Sequence, residues 1–118
     1  NGDGKADLAV ADNENSRLLF MTGYGNGSFV VSGTYSTGNN TGPFIVVAND
    51  FNKDNHLDVA VSSGRGRLVS IFLGNGEGNF TQQLSYTFAG YPTAIATADI
   101  NNDGNLDIVS ADYLMNTS

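Results

Sequence analysis

Asn52-Lys53-Asp54-Asn55-His56-Leu57-Asp58-Val59 is one of three copies of the same phrase. It matches Asn1-Gly2-Asp3-Gly4-Lys5-Ala6-Asp7-Leu8 at an offset of 51 and Asn101-Asn102-Asp103-Gly104-Asn105-Leu106-Asp107-Ile108 at an offset of 49. A fixed period of about 20 to 50 residues signals a stacked or radial architecture. Other landmarks keep step: Gly23-Tyr24-Gly25-Asn26-Gly27-Ser28-Phe29 answers Gly74-Asn75-Gly76-Glu77-Gly78-Asn79-Phe80, Tyr35 answers Tyr86, and Pro43 answers Pro92. The 118 residues divide into a first repeat over 1–51, which starts inside its own acidic loop, a second over 52–100, and the start of a third over 101–118.

Between the acidic loops the pattern predicts four short strands per unit. The first is Phe44–Ala48, echoed by Thr93–Thr97, whose small and β-branched residues without clean alternation suit a strand buried on both faces. The acidic loop follows it. Next come Leu57–Val61, echoed by Leu106–Ser110, and Leu68–Leu73, echoed by Arg17–Met21; both runs are rich in strand-forming residues. The fourth, Asn79–Tyr86, is half polar and reads as an outer edge. The Gly-x-Gly-x-Gly run before it supplies the positive-φ positions of a hairpin. The expected fold is therefore all-β: propeller-type blades of four antiparallel strands, about two and a third repeats of them. Two blades share only one well-buried face, so the segment is expected to belong to a longer propeller or to self-associate.

Composition narrows the function. Fifteen glycines, seven Phe, five Tyr and only 14% charged residues describe a turn-rich β protein. The net charge of −7 argues against a nucleic-acid partner, which needs clustered Lys and Arg. No stretch is long and apolar enough to insert in a membrane as a helix, and the lack of cysteine removes disulfides and thiolate metal sites. Residue 1 already lies in a polar cluster, so the natural start is expected upstream.

Eight of the twelve acids fall in three loops, 1–7, 50–58 and 99–107. In the two complete loops, oxygen-bearing side chains stand at positions 1, 3, 5 and 9. Carboxylates packed this closely repel one another unless a cation sits among them. Ca²⁺ takes six to eight oxygen ligands, and a loop folded on itself can offer alternate side chains plus a main-chain carbonyl from position 7, here His56 or Asn105. Mg²⁺ fits less well because it gives up its waters reluctantly. An EF-hand would need Glu at position 12 and flanking helices, whereas position 12 is Val61 or Ser110 between strand-like segments. Ordinary Asn-Asp-Gly surface turns remain the plainer alternative.

The pattern Asp-x-Asn-x-Asp-Gly-x-x-Asp, a hydrophobic strand, then Leu-Gly-Asn-Gly-x-Gly-x-Phe resembles the FG-GAP/VCBS repeat of integrin-α-type β-propellers over the whole chain. The resemblance implies one blade per repeat, with a structural Ca²⁺ in the loop between its first two strands. It implies one site from Asp50, Asn52, Asp54, the His56 carbonyl and Asp58, and another from Asp99, Asn101, Asp103, the Asn105 carbonyl and Asp107. In the N-terminal loop Asn1, Asp3, the Lys5 carbonyl and Asp7 lack the opening Asp, so that site is expected to be incomplete. Asn55 replaces the pattern's Gly at a position expected to be left-handed, which Asn tolerates better than other side chains.

The expected function is a non-catalytic, calcium-binding propeller segment of an extracellular or cell-surface protein, serving adhesion or ligand recognition. The rival reading is an accessory carbohydrate-binding or spacer domain of a secreted enzyme, with Tyr24, Tyr91 and Tyr113 as candidate sugar platforms. The expected partners are an extracellular protein or carbohydrate ligand, together with neighbouring blades or a second copy. His56 is the sole histidine and is read as a carbonyl donor with an exposed ring. Arg65 and Arg67 are read as a solvated turn or an acidic-ligand contact. Sequons at Asn26, Asn39, Asn79 and Asn116 would accept N-glycans in a secretory pathway.

Overall fold

Runs of β-branched and aromatic residues between glycine- and asparagine-rich turns form strands throughout. The computed structural model describes residues 1–113. Its strands are β1 (Leu8–Asp12), β2 (Arg17–Gly23), β3 (Phe29–Ser36), β4 (Pro43–Asn49), β5 (Asp58–Ser63), β6 (Leu68–Gly74), β7 (Phe80–Thr87), β8 (Tyr91–Ala98) and β9 (Asp107–Tyr113). The described residues contain no helix. The sequon at Asn116 and the end of the third repeat lie outside the described residues.

The strands form three antiparallel sheets, ordered β1-β2-β3, β4-β5-β6-β7 and β8-β9. Chain order and spatial order coincide, as short hairpins require. The sheets are cut one strand out of phase with the sequence period, because each acidic loop lies inside a sheet's span, joining β4 to β5 and β8 to β9. Even the irregularities recur. A register shift falls at Phe20/Met21 in β2 and at the corresponding Ile71/Phe72 in β6, and another at Pro43/Ile45 in β4 and at Pro92/Ala94 in β8.

The four-stranded sheet is sandwiched between the other two. Successive side chains of a strand point to opposite faces. Val59 and Val61 of β5 and Phe72 of β6 therefore meet Leu18 and Phe20 of the first sheet, while Ala60, Val69 and Ile71 meet Ile95 of the third. Every residue of β5 is buried. The sequence pattern places the doubly buried strand at Phe44–Ala48 instead. There β4 lies at the sheet edge and keeps Phe44 44% exposed, while β5 is the strand flanked in its own sheet and covered on both faces.

Aromatic contacts lock the first interface. The rings of Phe20 and Phe80 stack at 3.7 Å, and the Tyr35 hydroxyl accepts from the Phe80 amide at 3.1 Å while its ring meets Phe20 edge-on. Arg65 and Arg67 sit in an exposed turn, as expected, and also reach the neighbouring sheets. Arg65 donates to the Asn13 carbonyl of the first sheet's hairpin at 2.8 Å, and Arg67 donates to the Ala89 carbonyl at 3.2 Å and lies over the Tyr91 ring at 5.0 Å. Which sheet faces a turn is not encoded near the two arginines, so their partners cannot be read locally.

Candidate metal centre

The acidic loops all lie at one end of the stack, with the Gly-rich hairpins beside them. Asp58 opens β5 opposite Asn49, and β6 runs back to Gly74 at the same end. Backbone conformation curls each loop. Positions 4 and 6 are left-handed in every copy: Gly2 and Gly4 at 77° each, Lys53 at 63° and Asn55 at 66°, Asn102 at 58° and Gly104 at 81°. Asn55 thus occupies the left-handed region expected where it departs from Gly.

This curl turns the side chains inward onto the loop's own amides. In loop 50–58, Oδ1 of Asp50 and Oδ1 of Asn52 both accept from the Asp54 amide, at 3.2 and 3.1 Å, and Oδ2 of Asp50 accepts from Asn55 at 2.9 Å. Asp54 accepts from the His56 amide at 2.8 Å and from the Asn52 side chain at 2.9 Å. Loop 99–107 repeats the pattern: Asp99 and Asn101 both accept from Asp103 N at 3.1 Å, Asp99 from Gly104 N at 2.8 Å, and Asp103 from Asn105 N at 2.7 Å. The N-terminal loop keeps only the part its residues allow, with Asn1 accepting from Asp3 N at 3.0 Å and Asp3 from Lys5 N at 2.9 Å.

The aspartate at position 9 binds a different set of amides. Asp58 is fully buried and accepts from the Phe51 amide at 2.8 Å and the Gly74 amide at 2.9 Å. Asp7 accepts from Gly23 at 2.9 Å, and Asp107 accepts from Ile100 at 2.9 Å. Position 9 therefore fastens the loop to its strand, and in the first two copies to the next hairpin as well. A Cβ on Gly74 would overlap the Leu57 carbonyl, and one on Gly23 the Ala6 carbonyl, so each glycine admits the loop backbone against β6 or β2. Sequence reasoning misses this pairing, although both glycines follow their aspartate by sixteen residues.

Hydrogen bonds set the electrostatics of the ring of acids. Asn52, then the His56 amide, hold the Asp54 carboxyl below the usual carboxylate range. Asp103 is lowered chiefly by the Asn105 amide, with the charge of Lys53 adding to the effect. Asp7 is lowered by the Gly23 amide. His56 is exposed, as expected, with its ring beside the second hairpin, where a Cβ on Gly76 would collide with Nδ1.

The FG-GAP-like repeat matches residues 1–61 and again 50–110, each match beginning in one acidic loop and ending beyond the next. The chain belongs to the FG-GAP-like repeat family. No curated protein and no solved structure matches it.

In this FG-GAP-like pair the first and third loop positions accept from the amide of the fifth, and the ninth accepts from the amide of the second. Among the described residues no three acidic or histidine side chains already close as a metal cage. The donor set nonetheless fits a hard cation. Every side-chain donor is an oxygen, and a carboxylate oxygen that takes one N–H keeps a second acceptor site. The three tyrosines of the carbohydrate reading do not converge. Tyr24 lies in the hairpin at the loop end, whereas Tyr91 and Tyr113 face each other across β8 and β9 at the far end.

Proposed function

We propose that this FG-GAP-like segment is a calcium-stabilised, non-catalytic scaffold in an extracellular protein, where its blades present a surface for adhesion or ligand recognition. The observation that carries the reading is the identical hydrogen-bond pattern of loops 50–58 and 99–107, in which the first-position carboxylate and the third-position amide oxygen accept from the fifth residue's amide while the fifth-position carboxylate accepts from the seventh. Asp50, Asn52, Asp54 and Asp58 would hold one Ca²⁺ and Asp99, Asn101, Asp103 and Asp107 another, with main-chain oxygen from position 7 of each loop. The bound ion would neutralise the clustered carboxylates and fasten each loop. Asn1, Asp3 and Asp7 offer fewer oxygens and would bind more weakly.

The absence of a catalytic role is part of the same proposal. The loop acids are engaged with loop amides, and among the described residues the exposed His56 ring forms no ion pair with a carboxylate. Extracellular calcium modules bind at about 10⁻⁴–10⁻³ M, which suits a calcium-rich compartment. No helix among the described residues is long and apolar enough to cross a membrane.

Thermal unfolding followed by circular dichroism tests the metal directly, with calcium added and with calcium chelated. Saturation at about a hundred times the dissociation constant adds roughly 2.7 kcal/mol per site. The midpoint should rise with calcium in the natural chain and stay put in an Asp54→Ala, Asp103→Ala variant. No rise in either returns the loops to ordinary turns.

A further inference from the structure

The two complete loops have the same oxygen donors but not the same neighbours. Lys53 occupies the left-handed fourth position at the tip of loop 50–58, with φ of 63°. Its side chain reaches the next blade, where a Cβ built on Gly104 would lie 3.4 Å from Nζ. The ammonium therefore stands at the rim of loop 99–107, one residue from Asp103. It forms no ion pair within 4.0 Å among the described residues, whose ion pairs are Asn1 with Asp7 and Arg17 with Asp12. The charge is held beside the loop without being committed to one carboxylate.

The preceding blade offers no counterpart. The residue equivalent to Lys53 in the N-terminal loop is Gly2, which has no side chain, and the nearest atom to a Cβ built there is the Gly76 carbonyl oxygen, at 3.8 Å. Lys5, the other cation of that loop, lays its stem along its own hairpin at Gly25. Loop 50–58 thus receives no lysine from its neighbour at this position, whereas loop 99–107 does.

We propose that Lys53 acts as a tethered cation that weakens calcium binding at loop 99–107 relative to loop 50–58, so that the two sites fill at different calcium concentrations. This inference rests on the calcium reading of the loops. A divalent ion arriving at loop 99–107 meets a fixed positive charge at its rim and must push it aside or tolerate it. Coulomb's law in a water-like medium, for charges about 10 Å apart, makes the handicap about three- to tenfold in affinity. The effect falls with added salt, because an exposed charge is screened within about 8–10 Å at ordinary ionic strength. The staggered filling would give the two complete loops different calcium thresholds through the single residue Lys53.

The test is calcium titration calorimetry with Ca²⁺ alone as the probe, using the full chain with one loop disabled at a time. On an Asp54→Ala background, which leaves loop 99–107 to report, Lys53→Met should tighten binding about three- to tenfold, and the gain should shrink in about 0.5 M salt. On an Asp103→Ala background, which leaves loop 50–58, the same change should shift affinity less, because Nζ is extended away from its own loop toward Gly104. Lys53→Arg should restore the weaker binding, separating charge from loop geometry. Calcium binding at loop 99–107 that is indifferent to Lys53→Met, or a response confined to loop 50–58, overturns the inference alone. A natural chain that takes up no calcium overturns the metal reading together with it.

Discussion

The Gly74 amide donates to Oδ1 of the fully buried Asp58 over 2.9 Å, across sixteen residues of sequence, and Gly23 does the same to Asp7 over the same distance. One carboxylate thereby secures the end of its own loop and the start of the hairpin that follows the next strand. Its role is structural before any metal arrives.

Asp58→Ala is expected to destabilise the fold by about 2–4 kcal/mol, since it leaves the Phe51 and Gly74 amides without their charged acceptor. Urea unfolding in chelator should show the loss in full. Asp54→Ala, whose carboxylate serves only the exposed loop, should by contrast cost little in chelator and much in calcium.

Gly74→Ala places a methyl group into the Leu57 carbonyl. Neither is at the end of a flexible side chain, so the strand or the loop must move, at about 1–3 kcal/mol. Chemical denaturation of Gly74→Ala beside Gly78→Ala separates two kinds of glycine: the first is needed for close approach, the second for its φ of 88°.

At Asn55, with φ of 66°, replacement by Gly should hold or raise stability, whereas Asn55→Ala should lose about 1 kcal/mol because Ala lacks the amide that makes a left-handed backbone tolerable. Thermal midpoints of the two variants in chelator keep metal effects out of the comparison.

Much of this is legible in the amino-acid order itself. The period, the hairpins and the acid spacing are all local, carried by residues that must lie near one another along the chain to work. Asn55 is marked as left-handed by its place in the loop alone. The roles of Gly74, Arg65 and Arg67 are not legible in that way, because they depend on which strand or sheet lies opposite. The burial of β5 in place of β4 has the same cause: β4 is the more apolar of the two, and it is the sheet order that puts β5 inside and β4 at the edge.

The stacked pair Phe20 and Phe80 joins the first two sheets together with the Tyr35 hydroxyl. Tyr35→Phe should cost about 0.5–1.5 kcal/mol for one hydrogen bond. Phe80→Ala should cost about 3 kcal/mol or more for the ring and the space it leaves. The two changes should not add, because residues that share a partner are coupled, and a double-variant cycle by urea unfolding measures that coupling.

Acid should loosen the hairpin between β1 and β2. Arg17, with help from Asn15, holds the Asp12 carboxyl below the ordinary aspartate range, its Nε standing 2.7 Å from Oδ2. A folded-state value below the unfolded one means that the stabilisation is present above the unfolded value and fades as pH falls through the folded one. The loss therefore begins under about pH 4 and continues below it. The pair is partly exposed, so solvent screening keeps the effect small; urea midpoints between about pH 2.5 and 7 should slope less for Asp12→Asn than for the natural chain.

Arg65 and Arg67 stand two residues apart, yet one grips the sheet behind and the other the sheet ahead. The turn that carries them works as a clasp through which three sheets share any load. A pull on the outermost strand pair would be felt two sheets away, and the stack would yield as a chain of linked plates.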